Sequence, residues 1–187
     1  MKRIQGVFTV ELALVLVLLS SFFALQVNYM IAVAMKGAMD RAAYSAAALI
    51  AERRQFFDDE GYICGLNGGD ATKCNKLMTE IGDVVQGAMA RALSSFDAND
   101  LAIVVEEYIP APPATAYTVR TLGDSTGCDL VSINNTAMNA LSPLTSKNRR
   151  LPIYQISLCY KTEFNLLGAV EGDPFNIVSS SISFARF

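Results

Sequence analysis

The stretch KRIQGVFTVELALVLVLL, residues 2–19, decides how the rest of the chain is read. Two basic residues, Lys2 and Arg3, stand ahead of an apolar run, and from Leu12 to Met35 there is no charged residue. Roughly 20 apolar residues cross a bilayer as a helix, so this run is long enough to span it. Positive charge before the run keeps that end cytoplasmic and sends the downstream chain across the membrane. One residue does not suit a plain anchor: Glu11 is a carboxylate just inside the apolar segment, five residues beyond Gly6.

Beyond Met35 the helical composition continues as MKGAMDRAAYSAAALIAERRQFF, rich in Ala, Met, Arg and Glu, and no proline occurs before Pro110. The pattern predicts one helix from Val7 to about Gln55, inside a segment 7–57, with its membrane half at about 12–35. At 1.5 Å per residue such a helix is roughly 70 Å long, about twice a bilayer. Its second half reads as amphipathic. Ala42, Tyr44, Ala46, Ala47, Leu49 and Ile50 are expected to face a folded domain, with Lys36, Asp40, Arg41, Glu52 and Arg53 toward water. The acidic run Asp58-Asp59-Glu60 and Gly61 then end it. Calcium binding by that run is disfavoured because alternating ligand spacing is missing.

The remainder, 58–187, reads as one exported α+β domain. A helix is expected over about Lys76–Ser95, where Leu77, Ile81, Val84, Val85, Ala88 and Ala92 recur at spacings of three and four. Strands are expected at LAIVVEEYIP, YTVRTL, LPIYQISLCYKTEF and IVSSSISFARF, with GDSTGCD as a polar loop and SINNTAMNAL as a short helix. In the third strand Ile153, Gln155, Ser157 and Cys159 share one face, and Tyr154, Ile156, Leu158 and Tyr160 the other. Helices followed by runs of strands imply an antiparallel sheet with the helices packed on it.

Composition excludes much chemistry. The chain has 187 residues and no histidine, which removes the commonest general base and the Ser-His and Cys-His nucleophile pairs. Its net charge of −3 gives no footprint for nucleic acid. Glu106 and Glu107 are neighbours in a strand, so they point to opposite faces and form no carboxylate pair. Ser125 and Thr126 have no partner to activate them. Lys147–Arg150 reads as a solvated basic loop, with an acidic partner as the sharper alternative. No cofactor is expected.

The four cysteines, Cys64, Cys74, Cys128 and Cys159, all come after the membrane segment. Four allow three pairings. Cys64–Cys74 with Cys128–Cys159 is favoured because each bridge closes a local excursion, and disulfides suit an exported domain. A four-cysteine zinc site is the other reading, though it usually needs closer spacing.

Three readings compete for the N-terminus. It can be a plain anchor, or a cleaved secretory signal with AVA at 32–34 as the cut. The apolar run is too long for the usual signal core, and it contains Glu11. The third reading is a type IV prepilin-like leader, residues 1–6. It needs a short basic leader, Gly at the cut, a Glu five residues later and a long apolar helix, and MKRIQG followed by VFTVELALVLVLL has all four. Glycine lets a peptidase approach the backbone. Cleavage would leave a new α-amino group on Val7, with which Glu11 can pair in the same chain or in a neighbour.

GVFTVELALVLVLL followed by MDRAAYSAAALIAERRQFF resembles the TadE/TadF pseudopilins of the tight-adherence (Flp-type) pilus. ERRQFFDDE, YQISLCYKTEF and SSSISFAR are most similar to TadF. The resemblance is strong over residues 2–57 and looser beyond. Many members carry an aromatic after the Glu, where this chain has Leu12. The resemblance implies a non-enzymatic minor pilin. A membrane-embedded prepilin peptidase would cut between Gly6 and Val7, and Glu11 would serve assembly. The mature protein would sit in the bacterial inner membrane, its domain in the periplasm. Implied partners are other minor pilins, the major Flp-type pilin, the inner-membrane assembly platform and the lipid bilayer. The rival is a periplasmic enzyme or binding domain that uses the helix only as a tether.

Overall fold

A computed structural model describes residues 4–52, 63, 71–110, 116–134, 138–146, 148, 150–162 and 175–185. The elements in chain order are α1 (Ile4–Glu52), α2 (Ala71–Ala92), β1 (Leu101–Ile109), β2 (Ala116–Leu122), α3 (Met138–Leu141), β3 (Ile153–Thr162) and β4 (Phe175–Phe184). The four strands form one sheet in the order β2-β1-β3-β4, and every pairing is antiparallel. The expected α+β class is therefore the observed one. The second helix begins about one turn earlier than its apolar spacing suggested. Of the short helix expected over SINNTAMNAL, Met138–Leu141 is helical as α3, 132–134 are not, and 135–137 lie outside the described residues. The Asp58–Glu60 run lies outside the described residues.

Register explains the layers. Leu101, Ile103 and Val105 of β1 lie beside Tyr160, Leu158 and Ile156 of β3 on one face. That face meets Met39, Ala43 and Ala46 of α1 and Ile81, Val85 and Met89 of α2 in a single core. Full burial of one such large side chain contributes about 1.5–3 kcal/mol. Phe96 stacks on Tyr160 with ring centroids 5.6 Å apart, and the Tyr160 hydroxyl accepts the Asp97 N–H at 3.0 Å. This closes the end of the core where α2 hands over to β1.

The opposite face of the sheet is not left to solvent. Every residue of β1 is buried, on both faces. Gly123, at φ +84°, makes the turn out of β2; a Cβ there would collide with the Leu101 carbonyl oxygen. The segment 123–134 is laid across the sheet as a strap. Lys161 reaches Asp124 at 2.6 Å, Asn176 Nδ2 donates to the Gly127 carbonyl at 2.8 Å, and Gln155 Nε2 donates to the Val131 carbonyl at 2.6 Å. Ile133 is buried with Tyr108 and Ile153. A disulfide joins Cys128 of the strap to Cys159 of β3. The polar loop GDSTGCD is thus part of a third layer.

Candidate functional site

Of the N-terminal residues singled out in the sequence, Gly6, Val7 and Glu11 fall on α1, and Lys2 and Arg3 lie outside the described residues. Gly6 and Val7 lie in its opening turns, and Glu11 comes one turn after Val7. The Glu11 side chain is exposed, and none of the described residues pairs with it. Around and beyond it the helix presents Phe8, Leu14, Leu18, Phe22, Phe23, Met30 and Val33 outward, with Leu18 71% exposed. Ser20 and Ser21 do not disturb this surface, because each hydroxyl donates to the Val17 carbonyl at 2.9 Å. This is the one helix among the described residues long and apolar enough to cross a membrane. Leucines and phenylalanines placed wholly outside the core need a nonaqueous surrounding or other helices.

At Met35 the character of α1 changes. Met35, Ala38, Met39, Ala42, Ala43, Ala46, Ala47, Ile50 and Ala51 are buried. These positions recur every three or four residues, the spacing of one helix face. The facing side of β4 carries Ser179, Ser181 and Ser183 in register with Leu158, Ile156 and Tyr154. Small side chains on both surfaces allow a close approach. Tyr44 corrects the expectation from composition: it is 66% exposed, pointing away from the domain, while Met39 and Ala43 take the inward places. An Ala-rich helix has apolar residues on every side, so periodicity alone did not fix its angle.

Lys36, the first charge after the apolar run, does more than face water. Its Nζ donates to Asp40 Oδ1 at 2.7 Å and to the Val178 carbonyl at 2.8 Å. The Ser179 hydroxyl also donates to Asp40. Burial pushes the Asp40 carboxyl up, but the Lys36 and Ser179 hydrogen bonds outweigh it and hold it below its ordinary value. A Lys-Asp pair at i, i+4 is visible in sequence; its seat on β4 is not.

The two adjacent glutamates are separated as expected, yet both are buried, Glu106 to 4% and Glu107 to 3% exposure. Glu106 lies under the strap and accepts from Tyr117, Ser132 and Gln155 Nε2. Its carboxylate and burial push the Tyr117 hydroxyl above its ordinary value, burial being the larger cause. Gln155 also donates to Ser157, which meets Ser180, so a polar row crosses all four strands. Glu107, on the helix side, accepts the Ile63 N–H, at 3.1 and 3.2 Å to its two oxygens. Burial pushes it up to about 7, against that hydrogen bond. These groups knit layers together; no three His, Cys, Asp or Glu side chains among the described residues converge to hold a metal ion.

Of the favoured disulfides, Cys128–Cys159 is present. Cys74 is disulfide-bonded too, while Cys64 lies outside the described residues. Sulfurs engaged in this way are not available as a four-thiolate zinc site.

Comparison with curated proteins finds no match, and comparison with solved structures finds none either. The model of the family described as "Putative tight adherence pilin protein F" (TadF) matches residues 1–186. That match takes in the exposed apolar helix and the domain docked on its far half alike, and the chain belongs to the TadF family, among the components of the tight-adherence pilus.

Proposed function

We propose that the chain is a minor pilin made as a precursor, cut after Gly6 by a prepilin peptidase on the cytoplasmic side. The mature protein then begins at Val7. Residues of about 12–35 hold it in the bacterial inner membrane, and 58–187 form its periplasmic domain. There it supports assembly of the Flp-type pilus for adherence and biofilm formation, with other minor pilins, the major pilin and the inner-membrane platform as partners. Its role is structural, not catalytic.

The observation that carries this reading is Glu11: exposed, without an ionic partner among the described residues, and one turn past Val7 on an apolar helix. A carboxylate in lipid costs about 2–3 kcal/mol near the bilayer centre and less near an interface. Cleavage creates a cation, the Val7 amine, that removes this cost by pairing with Glu11 in the same chain or in the next subunit. Pairing between subunits fixes their axial register.

The test has two arms. Intact mass and N-terminal sequence of the protein from membranes should give Val7 as first residue only when the peptidase is present. Glu11→Leu should leave the protein cut and membrane-bound but abolish pili. A chain starting at Met1 in both hosts, or normal piliation with Glu11→Leu, returns the helix to a simple tether.

A further inference from the structure

Contacts between α1 and the sheet fix which end of the domain points toward the apolar half of the helix. Lys36 reaches the Val178 carbonyl, and Asp40, one turn on, accepts from Ser179, the next residue of β4. Helix and strand therefore rise together. Ile63, which follows α1 in the chain, is held by Glu107 toward the other end of the sheet. Antiparallel register then places the start of β1 and the ends of β2 and β3 beside the start of β4, at the end nearer the apolar helix. The turn 93–97, which leads from α2 toward β1, closes this lower rim. Leu93 and Phe96 pack there against the core while staying partly exposed, and Ser94 and Ser95 are exposed. The domain also reaches a long way down α1. Met35 is buried and Ala32 is half-buried against the core, while Tyr29, Met30 and Val33, on other sides of the same turns, are exposed.

We infer that the domain does not stand clear of the membrane but rests on it, with the turn 93–97 and the corner 122–124 between β2 and the strap lying among the lipid headgroups. The inference rests on the proposed anchoring of α1 in the bilayer. Hydrocarbon cannot rise past Ala32, because the domain already occupies one side of the helix there. Leu12 to Ile31, about 20 residues, gives about 30 Å of helix, the thickness of a hydrocarbon core. The headgroup layer adds about 5–7 Å beyond that face, or about four more residues of helix. Those residues, 32–35, are the ones on which the lower end of the domain sits, so the rim and the headgroups share one level. The chemistry of the rim suits that layer, where apolar bodies with polar neighbours are at home. Leu93 and Phe96 lie beside two serines, Asp124 is paired with Lys161, and Asp97 accepts the Asn99 N–H at 2.9 Å. The opposite end carries exposed Leu141 and Leu144, in a segment tied to the start of β3 by the Ser142 hydroxyl and the Leu151 N–H. That end faces away from the bilayer and stays open to other pilus components.

The experiment uses the full-length protein in phosphatidylcholine vesicles doped with a lipid that carries a diazirine in its headgroup or in its acyl chain. After photolysis, adducts are mapped by peptide mass. The acyl-chain probe should label α1 within 12–31; without those adducts the anchor reading itself fails, and the inference with it. With α1 labelled, the headgroup probe should label 93–97 and 121–124 several-fold more than 138–144. Equal yields at the two ends, or none on the rim, overturn the inference while leaving the anchor in place. A seven-residue polar helical insert between Ile31 and Ala32 adds nearly two turns, which lifts the domain by about 10 Å and keeps its facing. This variant should lose the headgroup adducts on the rim and keep the acyl-chain adducts on α1. Rim adducts that persist in it overturn the inference, because they would not depend on the height of the domain above the bilayer.

Discussion

Glu107 carries a charge in the wrong place for stability. Its carboxyl is nearly inaccessible, takes the Ile63 N–H as its donor, and is pushed up to about 7 by burial. A folded value above the ordinary one means the fold binds this proton more tightly than the unfolded chain does. The stabilising effect is fully present below the ordinary value near 4.5 and is lost as pH rises through about 7. Glu107→Gln removes the charge and keeps a carbonyl for Ile63. Unfolding in urea should show the variant close to the parent at pH 5 and more stable at pH 8, by up to about 3 kcal/mol. A variant less stable than the parent at pH 8 would mean that the ionised form has a partner that offsets burial. The sequence placed Glu106 and Glu107 on opposite faces because strand geometry requires it. It carried no sign that both faces are covered, since alternation usually marks a sheet with one wet side. Glu11, by contrast, was legible as it stands, because a carboxylate in an apolar run conflicts with the simplest reading of its surroundings.

At the level of elements, α1 is two helices in one. Up to Val33 its side chains face outward; from Met35 one face is locked to β4 and β3. The Lys36–Asp40 pair marks the changeover and ties it to Val178 and Ser179. Lys36 also caps an edge-strand carbonyl, and Arg120 Nη1 caps the Val119 carbonyl at 3.2 Å on the other edge. Cationic side chains on edge strands discourage strand-to-strand association. The docked interface depends on small residues, so overpacking tests it directly. Ala46→Leu inserts bulk at a position with no exposure and should cost about 1–3 kcal/mol. Tyr44→Ala, on the exposed side, should stay within about 0.5 kcal/mol. Thermal unfolding of the full-length protein in micelles reads both. Equal losses would mean that the helix sits on the sheet at another angle. Strand limits were easy to read because alternation repeats every two residues. Helix facing was not, because alanine and methionine blur the period of 3.6.

The whole molecule is a helix layer, a sheet and a strap, carried on a helix that extends beyond them. The strap explains why the two central strands, β1 and β3, can be buried on both faces in so short a chain. Sequence reading missed it because Gly, Asp, Ser and Thr look like solvent-facing loop chemistry, and its contacts come from residues far along the chain. Only the cysteine pairing hinted that this loop returns to a strand. The disulfide spans a sequence separation of 31, and closing a loop of that size stabilises by about 3–4 kcal/mol through the unfolded chain. In the folded state its partners are Lys161, Asn176, Gln155 and Glu106, so the strap has other anchors on either side of Cys128. Cys128→Ser with Cys159→Ser should therefore cost most of that stability, yet leave the helix face of the sheet intact below the melting transition. Hydrogen exchange should rise within 123–134 and remain slow in β3 and α2, whose protection comes from the core on the other side. Fast exchange spreading into β3 at temperatures where the parent is fully folded would mean that the strap holds the sheet together and is not merely laid upon it.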